Sequence, residues 1–379
     1  MRANGEGLHR LSISADGFSR AFKGPRRWGI LEPMERDGAR PPAEQTPLWA
    51  HALEPLGRLY LWGSATRLNR RRRQAKRLPL PVVSVGNLTF GGTGKTPVTL
   101  ALARFLREAG ERPAVLLRGY GRRSKGPLRV LPSSSPEEVG EEALLYLRAI
   151  PDLPVVVSER REEGAALLLA LGPTLFLLDD GFQHVETARD LDLLLVDTTG
   201  PRDLFPPPAG RLREPLSGAS RADALFLSGG GRLPEALAPF AAHKPAFSVR
   251  FRWTEEPSLS VPPGLSWKAL LGRPVVAFAG VGSPGRFLRD LKEAGLPPLR
   301  FLAFPDHAFP TEKRLAALER ALGETRAEAV LTTEKDAVKW APQWPFEVPL
   351  IWPRLEAILD DPGGLFPSLL QEALRRGRP

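Results

Sequence analysis

A glycine-rich stretch carries the most specific chemistry in the sequence. Residues 89–96 are Thr-Phe-Gly-Gly-Thr-Gly-Lys-Thr. In a phosphate-binding loop, glycines let backbone N–H groups surround phosphate oxygens, the lysine reaches the β and γ oxygens, and the last hydroxyl ligates Mg²⁺. Thr89 replaces the usual first glycine, and the alternative is a chance glycine turn. We predict that ATP and Mg²⁺ bind a loop formed by Thr89, Phe90, Gly91, Gly92, Thr93, Gly94, Lys95 and Thr96.

Two adjacent carboxylates follow an apolar run further along the chain. Residues 175–178 are Leu-Phe-Leu-Leu, and Asp179, Asp180 and Gly181 come next. A strand that ends in an acid beside a phosphate loop supplies the acidic partner of Mg²⁺. Asp-Asp-Gly alone is also an ordinary turn. Because a phosphate loop precedes it here, we predict a metal site made of Thr96, Asp179 and Asp180.

The segments around these residues predict the fold class. Leu80 to Val85 is a short β-branched run, the glycine loop follows, and Thr96 to Ala109 is an amphipathic helix closed by Gly110. Strand, loop and helix in this order open a parallel α/β sheet. Further apolar runs, several separated by helical segments, lie at 113–117, 154–157, 175–178, 191–196 and 224–227. The sequence therefore predicts an α/β protein with a doubly wound, mostly parallel sheet.

Composition and breaks in the sequence pattern divide the chain into four predicted regions. Residues 1–46 are predicted to be a disordered extension or an over-called start site, and 47–78 a basic amphipathic helix. Residues 79–245 form the predicted phosphate-loop domain. Residues 246–379 are predicted to hold a connector, Ala246 to Trp253, and a second, smaller α/β domain.

The basic character of the chain belongs to one segment. Of the formal net charge of +10, eight positive charges lie between Arg58 and Arg77, where no acidic residue occurs. Leu59, Tyr60 and Trp62 adjoin them, a combination typical of a helix that lies in an anionic membrane surface. The alternative is a helix packed on the protein with a solvated basic end. The uncharged run Leu59 to Thr66 is far short of the roughly 20 residues that a spanning helix needs, so we predict peripheral binding.

Other classes of function are disfavoured by composition. The chain has no cysteine and five scattered histidines, which excludes disulfides and thiolate metal sites and gives no reason to expect zinc. Outside the basic segment the net charge is only +2, and no aromatic residues alternate with the arginines. We therefore expect no nucleic-acid partner. A nucleic-acid-binding ATPase and a kinase or ATPase for a soluble substrate stay open as alternatives.

The motifs, in their order, resemble the tetraacyldisaccharide 4′-kinase family, the lipid A kinases of Gram-negative bacteria. The similarity implies transfer of a phosphoryl group from ATP to the 4′-hydroxyl of a lipid-linked disaccharide 1-phosphate. It further implies a monomer held peripherally at the cytoplasmic face of the inner membrane. The resemblance extends from about Pro47 to the C-terminus through residues 85–97, 118–121, 179–184, 208–215, 279–282, 305–307 and 333–339.

The resemblance also implies roles for individual residues. Glu141, where the family has aspartate, and His307 would act on the acceptor hydroxyl beside Lys95 and Asp180. Ser135, Pro136 and Glu138 predict a capped helix on whose wheel Glu141 lies opposite the apolar face, so a solvated surface position is the alternative. By the same resemblance, three arginines are candidates for phosphate contacts, each with a surface salt bridge as its alternative: Arg118, Arg161 and Arg213.

Overall fold

The computed structural model describes residues 53–198, 204–230, 232–254, 256, 259–361 and 363–378. The predicted extension, residues 1–46, lies outside the described residues, as do the first six residues of the predicted basic segment. Ten α-helices are described: α1 Glu54–Arg72, α2 Lys95–Glu108, α3 Pro136–Val139, α4 Glu141–Ala149, α5 Arg161–Leu169, α6 Ala238–Ala241, α7 Pro284–Glu293, α8 Glu312–Thr325, α9 Glu334–Trp340 and α10 Leu365–Gly377.

The described residues also form fourteen β-strands, which belong to two sheets. In chain order they are β1 Val82–Gly86, β2 Pro113–Leu117, β3 Leu128–Arg129, β4 Val155–Val157, β5 Leu175–Asp179, β6 Leu191–Asp197, β7 Ala224–Ser228, β8 Ala246–Trp253, β9 Ser260–Val261, β10 Val275–Ala279, β11 Arg300–Ala303, β12 Ala329–Leu331, β13 Leu350–Ile351 and β14 Leu355–Asp360. Short 3₁₀ helices at 216–221, 235–237, 267–270 and 341–343 complete the secondary structure of these residues.

The larger sheet has nine strands in the order β14-β8-β7-β6-β1-β5-β2-β4-β3. All its pairs are parallel except β14 with β8 and β3 with β4. The central strands β1, β2 and β5 are buried along their whole length, which explains their nearly continuous apolar sequences. The predicted doubly wound, mostly parallel α/β fold is confirmed.

The smaller sheet has five strands in the order β11-β10-β12-β13-β9 and its own apolar core around Phe278 and Trp340. It is inserted between β8 and β14, which are antiparallel neighbours in the larger sheet with Trp253 opposite Leu355. The chain therefore leaves and re-enters the larger unit at adjacent points. There the Thr254 N–H donates to the Arg354 carbonyl at 2.9 Å.

This insertion differs from the predicted division of the chain at residue 246. Ala246–Trp253, predicted to be a connector, is the strand β8 of the larger sheet. The helix α10 also packs on the larger core through Phe366 and Leu370. The reason is physical: β8 alternates buried and exposed residues because it lies near the sheet edge, and this pattern resembles that of an extended linker.

Helix α1 lies on the larger unit through one narrow face. Gly57 is its only buried residue, and a methyl group there would meet Pro206 at 2.5 Å. The Ser64 hydroxyl donates to the Arg213 carbonyl at 2.7 Å, and Leu61 packs beside it. No helix among the described residues is long and apolar enough to span a membrane.

Candidate active site

The glycine-rich loop lies where β1 passes into α2, at the centre of the larger sheet. Gly91 and Gly94 have positive φ values of 102° and 95°, which a side chain would strain. Asn87 Nδ2 donates to the hydroxyls of Thr89 and Thr93 at 3.3 and 2.9 Å. Thr89, the residue that departs from the usual pattern, is buried and bridges to Leu212. These contacts fix the loop at the N-terminus of α2, a position where backbone N–H groups favour phosphate binding.

Asp179 ends β5 next to this loop. Its Oδ2 accepts hydrogen bonds from the hydroxyls of Thr96, at 2.9 Å, and Tyr146, at 2.8 Å. Its Oδ1 is buried without a hydrogen-bond partner among the described residues. Burial, followed by the charge of Glu142, raises the pKa of Asp179 to about 6. A buried carboxylate oxygen without a partner beside a threonine hydroxyl fits the hard-oxygen ligands of Mg²⁺.

The described residues contain no cluster of three or more His, Asp or Glu side chains that could hold a metal by itself. This agrees with the way Mg²⁺ binds in phosphate-loop enzymes, through one or two protein oxygens together with substrate phosphates.

Asp180 adjoins two cations at the same edge of the sheet. Arg213 Nη1 donates to both of its oxygens, at 2.7 and 2.9 Å, and Lys95 Nζ lies 3.5 Å from Oδ1. Burial opposes ionisation of Asp180, but the charges of Lys95 and Arg213 outweigh it and hold its pKa below the usual range. Lys95, Asp180 and Arg213, all predicted as site residues, are therefore brought together.

Glu141 is not on a solvated helix face. The capping box of Ser135 and Glu138 is present as predicted, but the helix breaks at Gly140, whose φ is +84°. Glu141 begins the separate helix α4 and is 6% exposed. The helical wheel, which assumed one continuous helix, is therefore wrong. The alternative that Glu141 occupies a solvated surface position is wrong as well.

His307, on the loop after β11, reaches Glu141 from the smaller unit. Its Nδ1 donates to Glu141 Oε1, and its ring lies 5.3 Å from that of Tyr120. The hydrogen bond that His307 donates to Glu141 raises the pKa of His307, although burial opposes it. Burial favours a protonated Glu141, but the bond to His307 and the charge of Lys339 outweigh it, so the pKa of Glu141 is lowered.

The two units also touch at the phosphate loop itself. Arg286, on α7 of the smaller unit, donates from Nη1 to the Gly92 carbonyl at 3.2 Å. A methyl group on Gly282 would lie 3.7 Å from the Gly91 Cα and 3.2 Å from Asp306 Oδ2. Gly282 thus lies between the phosphate loop and Asp306, the residue before His307. The candidate site is the cleft between the two units.

Two cations of α9 complete this cleft and had no predicted role. Lys335 Nζ pairs with Glu142 Oε1, and Lys339 Nζ lies 2.5 Å from Glu141 Oε2. Both belong to the segment 333–339, which the sequence singled out only by resemblance. The available signal was the placement of two lysines four residues apart on one helix face.

The remaining predicted arginines are less closely joined to the cleft. Arg118 is exposed just after β2. Arg161 is 1% exposed, donates from Nη1 to the Ser158 carbonyl and has no partner at Nε among the described residues. Burial and the charge of Arg118 lower the pKa of Arg161 to about 10. A surface salt bridge is therefore not what Arg161 makes, and phosphate contacts of Arg118 and Arg161 stay predictions.

Comparison with known proteins places this site in a family. A family model of tetraacyldisaccharide-1-P 4′-kinase matches residues 49–372. A tetraacyldisaccharide 4′-kinase of Pelobacter propionicus is 40% identical over 304 residues, 78% of this chain and 84% of that protein. One of Parvibaculum lavamentivorans is 38% identical over 347 residues, 88% of this chain and 95% of that protein.

A solved structure supports the same family assignment. The crystal structure of LpxK from Aquifex aeolicus, described as an "apo" form in complex with ATP, has a TM-score of 0.66 to this chain and 33% sequence identity. The match covers 86% of this chain and 100% of that one. On these grounds the chain belongs to the tetraacyldisaccharide 4′-kinase family.

Proposed function

We propose that this protein transfers the γ-phosphoryl group of ATP to the 4′-hydroxyl of a tetraacyldisaccharide 1-phosphate, a step in lipid A biosynthesis. The observation that carries the proposal is that two contacts join the same two units in a chain of this family: His307 meets Glu141, and Arg286 meets the phosphate loop at Gly92. The alternatives, a soluble substrate or a nucleic acid, are not favoured by membership of the family.

The nucleotide half of the reaction follows from the loop. Backbone N–H groups of residues 89–94 would surround the phosphates, and Lys95 would move from Asp180 to the β and γ oxygens. Thr96 and Asp179, with Asp180 nearby, would hold Mg²⁺, which neutralises charge on the phosphates when it is bound. We propose that Arg213 meets the transferred group, a role supported by its contact with the neighbouring Asp180.

The acceptor half needs a group that takes the proton of the hydroxyl. Both oxygens of Glu141 are engaged, Oε1 by His307 and Oε2 by Lys339. The side chain of His307 is 32% exposed, and its Nε2, 3.8 Å from Asp306 Oδ2, is the ring nitrogen that does not contact Glu141. We propose that Nε2 accepts the proton while Glu141 fixes the ring and stabilises the imidazolium that forms.

Because phosphate loop and proton acceptor belong to one chain, we propose that a monomer is active. We further propose that α1 and its arginines bind an anionic membrane surface, which places the protein peripherally on the cytoplasmic face of the inner membrane. Leu56, Leu59 and Trp62 are 59, 63 and 69% exposed on this helix, next to the basic segment, which supports the proposal.

The reaction is tested with labelled ATP, Mg²⁺ and purified disaccharide 1-phosphate, with the products separated by thin-layer chromatography. We expect label in the disaccharide, its loss when a chelator removes Mg²⁺, and its return when Mg²⁺ is restored. The folded variant Lys95→Ala should be nearly inactive. Release of inorganic phosphate without labelled lipid would instead identify an ATPase.

A further inference from the structure

Lys339 lies at the end of α9 with its ammonium group buried between two carboxylates. Its Nζ is 2.5 Å from Glu141 Oε2 and 3.5 Å from Asp336 Oδ1. The side chains of Lys339, Glu141 and Asp336 are 1, 6 and 0% exposed. A lysine is almost never fully buried unless it is paired, so this one is held in place by these contacts.

Asp336 is itself anchored, which fixes the position of Lys339. Its Oδ2 accepts hydrogen bonds from the Gly280 N–H, at 2.9 Å, and from the Thr333 hydroxyl, at 2.7 Å. Gly280 follows β10, the neighbour of β11 in the smaller sheet, and the His307 N–H donates to the Gly280 carbonyl at 3.1 Å. One network therefore holds both Lys339 and the backbone of His307.

Four charged or titratable groups face Glu141 from the elements packed against it. His307 comes from the loop after β11, and Lys335, Asp336 and Lys339 come from α9. Lys335 is paired with Glu142, and Asp336 lies beyond Lys339. Lys339 is therefore the cation that directly meets the oxygen of Glu141 that His307 does not use.

We propose that Lys339 is a positioning residue for proton transfer: it holds Glu141 Oε2 so that Oε1 stays on His307 Nδ1 and the pair is ready to accept a proton at neutral pH. This inference rests on the proposed role of the Glu141–His307 pair. A purely structural ion pair between α9 and α4 is the alternative, and it would affect folding without changing how activity depends on pH.

Lys339→Met keeps the length of the side chain and removes its charge. Without that charge both members of the pair bind a proton more readily, because an opposite charge at this distance lowers a carboxyl pKa by about 1 to 3 units. We expect the acidic limb of kcat/KM to shift to higher pH by about one unit or more, with KM for ATP little changed. Lys313→Met, in the exposed part of α8, is the matched control and should leave the profile unchanged.

A folded Lys339→Met variant with the parent's pH profile and kcat would overturn the proposal. If this variant does not fold, Glu141→Gln/Lys339→Met also removes the unpaired charge of Glu141 and allows the test, since Asp336 keeps its hydrogen bonds from the Gly280 N–H and the Thr333 hydroxyl. Because Lys339 acts only through Glu141, the double variant should be no slower than Glu141→Gln alone. A further additive loss would contradict this. If the proposed Glu141–His307 pair is itself wrong, Glu141→Gln alone will be as active as the parent. That outcome is distinct from a failure of the Lys339 proposal.

Discussion

Two residues of the cleft adopt a backbone conformation that side chains disfavour. Asp180 and His307 have φ values of 54° and 60°, and only one other non-glycine residue, Arg326, has positive φ in the described part of the chain. Such residues cost of order 1 kcal/mol or more and persist where surrounding contacts fix them. Lys95 and Arg213 supply these contacts for Asp180, and Glu141 for His307. Two of these three positive-φ residues thus belong to the proposed site.

Substitution of Glu141 tests the proton-accepting pair. Glu141→Gln retains the size of the side chain but cannot stabilise an imidazolium, so kcat should fall by roughly 10² or more with KM for ATP little changed. Glu141→Asp restores the residue typical of the family and should retain substantial activity if α4 absorbs the shorter reach. Steady-state kinetics at saturating ATP measure both. A Glu141→Gln enzyme as fast as the parent would remove the pair from the mechanism.

The pH dependence gives a second test of the same pair. His307 must be neutral to accept a proton, and the hydrogen bond to Glu141 raises its pKa. Activity should therefore be lost as pH falls through an apparent pKa above the 6.5 or so of an ordinary histidine. In Glu141→Gln the carboxylate that raises the pKa of His307 is absent, so the acidic limb of the pH profile should move to lower pH while the rate also falls. Profiles of kcat/KM from about pH 5.5 to 9 would show the shift. If the acidic limb of Glu141→Gln lies at the same pH as that of the parent, the limb reports the titration of another group.

At the scale of elements, the phosphate loop and Asp179 could be predicted because local sequence determines them. Strand, glycine turn and helix are contiguous for the loop, and parallel β1 and β5 place Val85 opposite Asp179. The burial of Glu141 could not be predicted in the same way. It depends on the break at Gly140 and on α9, which belongs to the smaller unit and is almost 200 residues away along the chain.

The insertion of the smaller unit escaped prediction for a similar reason. Residues 246–253 have the alternating pattern of any extended segment, and only their pairing with β7 and with the distant β14 makes them a strand of the larger sheet. Pairing between strands separated by a whole domain leaves little trace in local periodicity.

The break between α3 and α4 can be tested by substitution of Gly140. Its φ of +84° is rarely adopted by a residue with a side chain, and an added methyl group would lie 3.0 Å from the Tyr120 carbonyl. Gly140→Ala should therefore lower stability by about 1 to 3 kcal/mol and displace Glu141, so that kcat falls as well.

The matched control for this substitution is Gly323→Ala. Gly323 lies in α8, has nothing within 4 Å of an added methyl group, and should be neutral or stabilised by up to about 1 kcal/mol. Chemical denaturation of both variants measures the difference. If Gly140→Ala is as stable and active as Gly323→Ala, the break is not what places Glu141.

At the scale of the whole molecule, most of the excess positive charge and several exposed apolar side chains belong to one stretch of the chain. Eight of the excess positive charges fall in the segment 58–77, and the rest of the chain carries only +2. On α1, Leu56, Leu59 and Gly63 lie along one stripe with Arg67 and Arg70, at helical spacing of three and four residues. The opposite stripe faces the protein.

The same helix contacts the cleft. Its Ser64 and Tyr60 hydroxyls donate to the carbonyl of Arg213, at 2.7 and 3.4 Å, and Arg213 in turn binds Asp180. A surface bound by α1 would therefore lie close to Arg213, the residue proposed to meet the transferred phosphate, where a lipid-linked acceptor has to arrive.

This arrangement predicts membrane binding with two separable parts. Leu59→Ser with Trp62→Ser removes apolar contact and should weaken binding to vesicles at any salt concentration, because each side chain buries less surface in the interface. Replacement of Arg67 and Arg70 by glutamine should weaken only the attraction to anionic vesicles, by about 1 kcal/mol per residue at low salt, and remove part of its salt dependence.

Leu271→Ser and Leu299→Ser, at positions 50 and 56% exposed on the smaller unit, are the controls. Sedimentation with neutral and anionic vesicles at rising salt separates the cases. If the α1 variants bind like these controls and the parent binds both vesicle types equally, α1 does not contact the membrane and the stripe serves another surface.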